Sequence, residues 1–207
     1  MNISAVIFDC DGVMFDSRKA NENFYNSILS HFGLPPMTPE EIEFVHMNTA
    51  VESLNHIFGN DPNRAKAQEY RLKMDYTPFV KDMVMEPGLK ELLDLLKPQY
   101  GLAVATNRSN TIGKVLEVNG LSSYFDIVVS SLDVRNPKPH PESIFKILDF
   151  FRLTPSQAIY LGDSAIDSET AKAGGVAFAA YKNKELPADY YVDHLMDLAE
   201  KVLRVSK

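Results

Sequence analysis

Apolar positions along this chain follow two alternating rhythms. Ala5-Val6-Ile7-Phe8 is a short continuous apolar run that stops at Asp9, the pattern of a buried parallel strand with polar residues at its carboxyl end. Runs 102–105, 127–129 and 158–161 repeat the design, ending at Thr106, at Ser130 and at Gly162-Asp163, and 176–180 predicts a fifth strand. Between them Leu89, Leu92, Leu93 and Leu96 fall at i, i+3, i+4 and i+7, as do Ile144, Ile147, Leu148 and Phe151, which predicts amphipathic helices. Strands alternating with helices give an α/β class, a doubly wound parallel sheet of Rossmann type.

Residues 17–82 break the alternation, because their apolar positions recur only at helical spacing. Phe24, Ile28, Leu29 and Phe32 form one stripe, closed by Gly33 and Pro35-Pro36. Pro39 then starts another helix, and 62–80 predicts a long helix leading back to the sheet. The expected division is a core of residues 1–16 and 83–207 with an all-helical unit, 17–82, inserted as a cap. Placed directly after the first strand, the cap would lie over the carboxyl ends of the strands, where ligands bind in open α/β sheets. Its two connections, 15–17 and 81–87, are the expected hinges of a lid.

Chemistry-bearing residues gather where the strands end. Asp9 and Asp11, two apart in Asp9-Cys10-Asp11-Gly12, favour cation binding, although a solvated Asp-Gly turn has the same composition. Asp163 and Asp167 add oxygen ligands of the kind a hard ion such as Mg²⁺ takes, or else cap a helix with an acidic first turn. Thr106 and Asn107 can offer a hydroxyl and backbone N–H groups to an anion, or serve as an ordinary helix start before Asn110 and Thr111. Lys138 sits within Asn136-Pro137-Lys138-Pro139-His140-Pro141, whose three prolines restrict the backbone that carries it.

In this order the four sets resemble the four motifs of haloacid dehalogenase (HAD) superfamily phosphatases. The first is Asp9 through Ser17, the second Thr106-Asn107, the third Lys138-Pro139-His140-Pro141, and the fourth Gly162 through Asp167 with Ala171 and Gly174-Gly175. The helical insertion is similar to the cap of the branch with phosphoglycolate phosphatases and β-phosphoglucomutases; Pro137 departs from the glycine common before the motif lysine. The resemblance implies a Mg²⁺-dependent phosphatase in which Asp9 is the nucleophile, forming an aspartyl-phosphate, and Asp11 the general acid and base. Thr106, Asn107 and Lys138 would hold the phosphoryl oxygens. Asp9, Asp11 through its backbone carbonyl, and Asp163 would hold the metal, with Asp167 supporting it through water or neighbouring contacts. A phosphomutase uses the same aspartates and is one alternative; a non-enzymatic phosphoaspartate switch or metabolite-binding module is another.

The substrate, a small phosphorylated metabolite, would be read by the cap and by the residue after the second motif. Candidate contacts are Arg108, Arg18, Asn21, Arg64, Arg71 and Lys73. Seven Lys plus Arg against nine Asp plus Glu in 17–82 leave the cap nearly balanced, which singles out no ligand class. Across 207 residues the formal charge of −7 offers no basic face for a phosphate backbone, so no nucleic-acid polymer is expected as partner. Cys10 alone allows no intrachain disulfide and fits a reducing cytoplasm; in extended backbone it should point away from Asp9 into the core. No apolar run approaches membrane-spanning length, and the opening residues lack the form of a signal peptide. Oligomeric state has no signature in the sequence.

Overall fold

The computed structural model describes residues 3–205. In chain order its strands are β1 (Ala5–Phe8), β2 (Phe15–Asp16), β3 (Val84–Met85), β4 (Gly101–Ala105), β5 (Ile127–Val129), β6 (Ala158–Gly162), β7 (Ala177–Tyr181) and β8 (Tyr190–Val192). Six of them form one parallel sheet in the order β5-β4-β1-β6-β7-β8. Every residue of β1 is buried, as its unbroken apolar run requires of a strand covered on both faces. Its register aligns Phe8 with Val104 on one side and with Leu161 on the other. Asp9, Thr106 and Asp163 therefore leave the sheet at one edge.

Alternate side chains of β1 serve opposite faces. Val6 and Phe8 enter one apolar cluster, and Ala5 and Ile7 a second. The first cluster continues without interruption into the inserted helices, taking in Phe24, Ile28, Leu54 and Phe58. Those helices are α1 (Arg18–His31), α2 (Pro39–Met47), α3 (Ala50–Phe58), α4 (Arg64–Lys73) and α5 (Thr77–Val80). Thr38 and Thr49 each close a capping box, with Glu41 and Glu52, which fixes the starts of α2 and α3. The core helices include α6 (Leu89–Leu96), α7 (Thr111–Val118), α8 (Glu142–Phe151) and α9 (Ala165–Gly174), and helical segments Leu195–Asp197 and Leu198–Leu203 follow the last strand. The four leucines of α6 are all buried, while on α8 Ile144, Ile147 and Leu148 are buried and Phe151 only partly so.

Three features differ from the sequence expectation. The single helix expected over 62–80 is two, because Met74 turns extended and the Asp75 carboxylate accepts from Thr77 N at 2.9 Å, starting α5 with Pro78 in its first turn. This break carries Tyr76 inward to 4% exposure. The two crossings between insertion and core are joined as an antiparallel ribbon, β2 with β3, pairing Phe15 with Met85 and Asp16 with Val84. A sixth sheet strand, β8, was not expected, and the fifth strand starts one residue later than predicted, after Gly175 (φ 69°) ends α9. Among the described residues no helix is long and apolar enough to cross a membrane.

Candidate active site

Asp9 is the first residue beyond β1, anchored by its N–H to Leu161 O at 2.9 Å and 7% exposed. The chain turns at once: Met14 N and Phe15 N both donate to Cys10 O. Gly12 takes φ 78°, and a Cβ built there would stand 2.0 Å from Asp163 Oδ2. Only glycine lets the first loop and the Asp163 carboxylate approach this closely. Gly162 has the same role toward Asp167, whose Cβ would lie 2.3 Å from an added methyl. Carboxylate oxygens of Asp9, Asp163 and Asp167 consequently lie within 4.8 Å of one another. Cys10 is fully buried in the apolar cluster, and burial pushes its thiol well above the ordinary value.

Lys138 binds this acidic group from below. Its ammonium donates to Asp167 Oδ1 at 2.7 Å and to the Tyr160 hydroxyl at 2.9 Å, and forms an ion pair with Asp9 Oδ1 at 2.9 Å. Asn107 fixes the lysine's backbone, accepting from Lys138 N and donating to Lys138 O, both at 3.1 Å. The amide thus positions the lysine in addition to any contact with a ligand. Asp167 unites the two readings its sequence allowed: Oδ2 accepts from Ser164 N in a capping box at the start of α9, while Oδ1 serves Lys138. Burial raises the proton affinity of both aspartates, but Lys138 outweighs it at Asp167, which is held low; Asp9, facing the Asp167 charge, is held high.

Asp11 faces the opposite way. Arg108 Nε donates to its Oδ2 at 2.8 Å and Arg108 Nη2 to its Oδ1 at 2.6 Å, a bidentate fork to which the Ser17 hydroxyl adds a short third bond. Burial alone would raise the Asp11 carboxyl, yet the arginine's charge and hydrogen bonds keep it below the ordinary range. Arg108 is itself buried, its guanidinium 5.2 Å from the centre of the Tyr76 ring, with Nη2 also donating to Asn21 Oδ1 at 3.2 Å.

A cavity of about 60 Å³ joins these groups beneath the insertion. By the measure in which one water needs roughly 10–15 Å³, it holds a few waters. Asp9, Asp11, Thr106, Asn107, Lys138 and Asp163 all line it. Of the substrate candidates, Arg108 and Asn21 line it as well. Arg71 is buried just behind, donating to Ser109 Oγ at 3.2 Å and Gln68 Oε1 at 2.9 Å. Arg18 pairs with Glu43 at the surface, Arg64 donates to Gly59 O at 3.0 Å, and Lys73 is exposed; none of the three lines the cavity. Tyr160, Tyr76 and Ser17 entered no sequence assignment. Tyr160 belongs to an apolar strand run and Tyr76 to the stretch 62–80 read as one helix, so neither carried a polar signal; Ser17 closed the first motif without a role.

The donor set suits a hard divalent cation. Three carboxylates converge where one ammonium serves two of them, and Asp163, pushed up to about 7 by burial and by Asp167, forms no ion pair of its own among the described residues.

The relatives of the chain agree with this architecture. The family model for haloacid dehalogenase-like hydrolase matches residues 6–181. A phosphoglycolate phosphatase of Chromobacterium violaceum is 31% identical over 86% of this chain and 85% of its own length. A pyrophosphatase PpaX of Listeria monocytogenes is 29% identical over 99% and 97%. The crystal structure of a HAD-superfamily hydrolase, subfamily IA, variant 1, from Geobacter sulfurreducens superposes with a TM-score of 0.79 at 41% identity, covering 97% of both chains. The chain belongs to the haloacid dehalogenase-like hydrolases, in their phosphatase branch.

Proposed function

We propose that this chain is a magnesium-dependent phosphatase that hydrolyses a small phosphorylated metabolite through an aspartyl-phosphate on Asp9. The observation that carries the reading is the convergence of Asp9, Lys138 and Asp163 in one cavity with Asp11 two residues from the nucleophile. Mg²⁺ would be held by Asp9, Asp163 and the backbone carbonyl of Asp11, with Asp167 supporting it through neighbouring contacts, and would supply charge to offset repulsion between carboxylate and phosphate. An Asp9 oxygen attacks phosphorus, the bond from phosphorus to the leaving oxygen breaks, and Asp11 gives that oxygen its proton. Water then attacks the phosphoryl group, Asp11 takes the water's proton, and the bond to Asp9 breaks, leaving alcohol and inorganic phosphate. Lys138, Thr106 and the N–H of Asn107 hold the phosphoryl oxygens throughout.

Relatives named for phosphoglycolate and pyrophosphate favour a short substrate over a hexose phosphate. The insertion serves as lid and cap of the cavity, 17–82 on a core of 1–16 and 83–207, and a reducing cytoplasm is the compartment that suits the single buried thiol. Phosphate release from phosphorylated sugars, short phosphorylated acids, pyrophosphate and nucleotides, with Mg²⁺ present, tests the reading. No release above that of Asp9→Asn protein from any of them would overturn it.

A further inference from the structure

The geometry points to Arg108 as the residue that selects the substrate, by exchanging its fork from Asp11 to a second anionic group carried beside the phosphoryl group. This inference rests on the phosphatase reading above and names the class of substrate: a phosphoryl compound whose leaving portion ends in a carboxylate or a phosphate.

Asp11 cannot protonate a leaving oxygen while it sits as described. Both of its oxygens accept from the guanidinium, and the Ser17 hydroxyl adds a third donor. The lone pairs of both oxygens are aimed at Arg108 and Ser17, so neither faces a leaving group. For Asp11 to reach a leaving oxygen, the fork must go elsewhere. Among the described residues the remaining N–H groups of Arg108 reach neutral oxygens, Asn21 Oδ1 at 3.2 Å and Thr111 Oγ1 at 3.4 Å among them. Neither can replace a carboxylate as the partner of a buried guanidinium, since separating a buried ion pair leaves a costly unpaired charge.

A second anionic group on the substrate can. A carboxylate or a phosphate offers the fork two acceptor oxygens, as Asp11 does, so the exchange keeps Arg108 paired at every stage and frees Asp11 in the same movement. A second guanidinium lies close by: Arg71 is buried behind Ser109 with its hydrogen bonds directed to neutral oxygens. Arg108 also lines the cavity with Asp9 and Asp11, so one short molecule can span nucleophile and fork. An ester with an uncharged tail gives Arg108 no exchange partner and leaves Asp11 captive.

The test is the ratio of kcat/KM for 2-phosphoglycolate, and separately for pyrophosphate, to that for ethyl phosphate. It is measured with Mg²⁺ on the whole chain, on Arg108→Lys and on Arg108→Met. Charged hydrogen bonds of this kind change rates by roughly tenfold to 150-fold. Wild type should therefore favour at least one doubly anionic compound by about that factor, and which one identifies the second anion as carboxylate or phosphate. Arg108→Lys keeps the charge but loses the fork and should bring the ratio below about a third of its wild-type value; Arg108→Met should bring it near one for 2-phosphoglycolate and lower it by about the same factor for pyrophosphate, whose leaving group is intrinsically better. Ethyl phosphate carries whatever the substitutions do to Asp11 itself, and the ratio divides that out. If Arg108→Met does not fold, Arg108→Lys decides. A wild-type ratio near one, or a ratio unchanged in the folded variant while both esters slow equally, overturns the selector role and leaves the phosphatase reading intact. Failure of the wild type on all three compounds and on the wider screen overturns both.

Discussion

Asp163→Asn should make the metal-free protein more stable while removing its response to Mg²⁺. Among the described residues Asp163 is the carboxylate of this group without an ion pair of its own, facing Asp9 and Asp167 with oxygens inside 4.8 Å. Two unit charges at that separation repel by about 3.5 kcal/mol at an effective dielectric near 20. The carboxyl's rise from 3.8 to about 7, driven first by burial and then by the Asp167 charge, corresponds to about 4 kcal/mol at 1.36 kcal/mol per pH unit. The sign follows from which form the fold prefers: a raised carboxyl favours the protonated state, so its stability is full below pH 3.8 and is lost as pH rises through about 7. Partial access of water to this half-buried side chain reduces the figure to about 2–4 kcal/mol. In guanidinium unfolding with EDTA, variant and wild type should coincide near pH 4, and the variant should be the more stable by that amount at pH 8. At about 100 times its Kd, Mg²⁺ should then add roughly 2.7 kcal/mol to the wild type and little to the variant. Parallel stability curves across pH, or a variant less stable at pH 8, would refute the account of Asp163 as a repelled, uncompensated charge.

Three further outcomes follow from the same geometry. Asp11→Asn should retain Mg²⁺ binding yet lose about 10²–10⁴ in kcat on the doubly anionic compound that the wild type prefers; a loss under about tenfold would reject its proton-transfer role, given that chemistry limits the rate. Gly12→Ala, at φ 78° and with its methyl against the Asp163 carboxylate, should cost about 1–2 kcal/mol from the backbone alone and weaken Mg²⁺ affinity by at least about tenfold in calorimetric titration; normal affinity would mean the carboxylate yields freely. Tyr160→Phe removes one partner from each of two buried charges, Lys138 and Asp167, and should cost about 1–3 kcal/mol; scanning calorimetry should show a Tm lower by roughly 2–4 °C per kcal/mol, and an unchanged Tm would contradict it.

The central strands were legible because β1, β4 and β6 are covered on both faces, which writes them as unbroken apolar runs. β8 lies at the sheet edge with only Val192 buried, and β2 and β3 have two residues each, so none has a period to detect. The division of α4 from α5 was hidden because helical spacing of apolar residues persists across the break, while the cause is one carboxylate capping Thr77. At the site, residues whose chemistry depends on standing at a strand end were readable one by one. Their pairings were not: Arg108 and Asp11 are 97 positions apart, and only the β1–β4 register brings the two loops together. Arg18, Arg64 and Lys73 share composition with Arg108, but helix phase turns them to the surface, which residue type alone does not encode.

The charge inventory around the cavity has a kinetic consequence. Four carboxylates, Asp9, Asp11, Asp163 and Asp167, share only two cations, Lys138 and Arg108, so the empty pocket has an excess of two negative charges when all are ionised. A phosphate dianion approaching it meets net repulsion in a medium that screens poorly. One divalent ion cancels that excess. Binding should therefore be ordered, metal before substrate, with the apparent affinity for substrate rising with Mg²⁺ and free phosphate product departing more slowly from the metal-loaded enzyme than from the bare one.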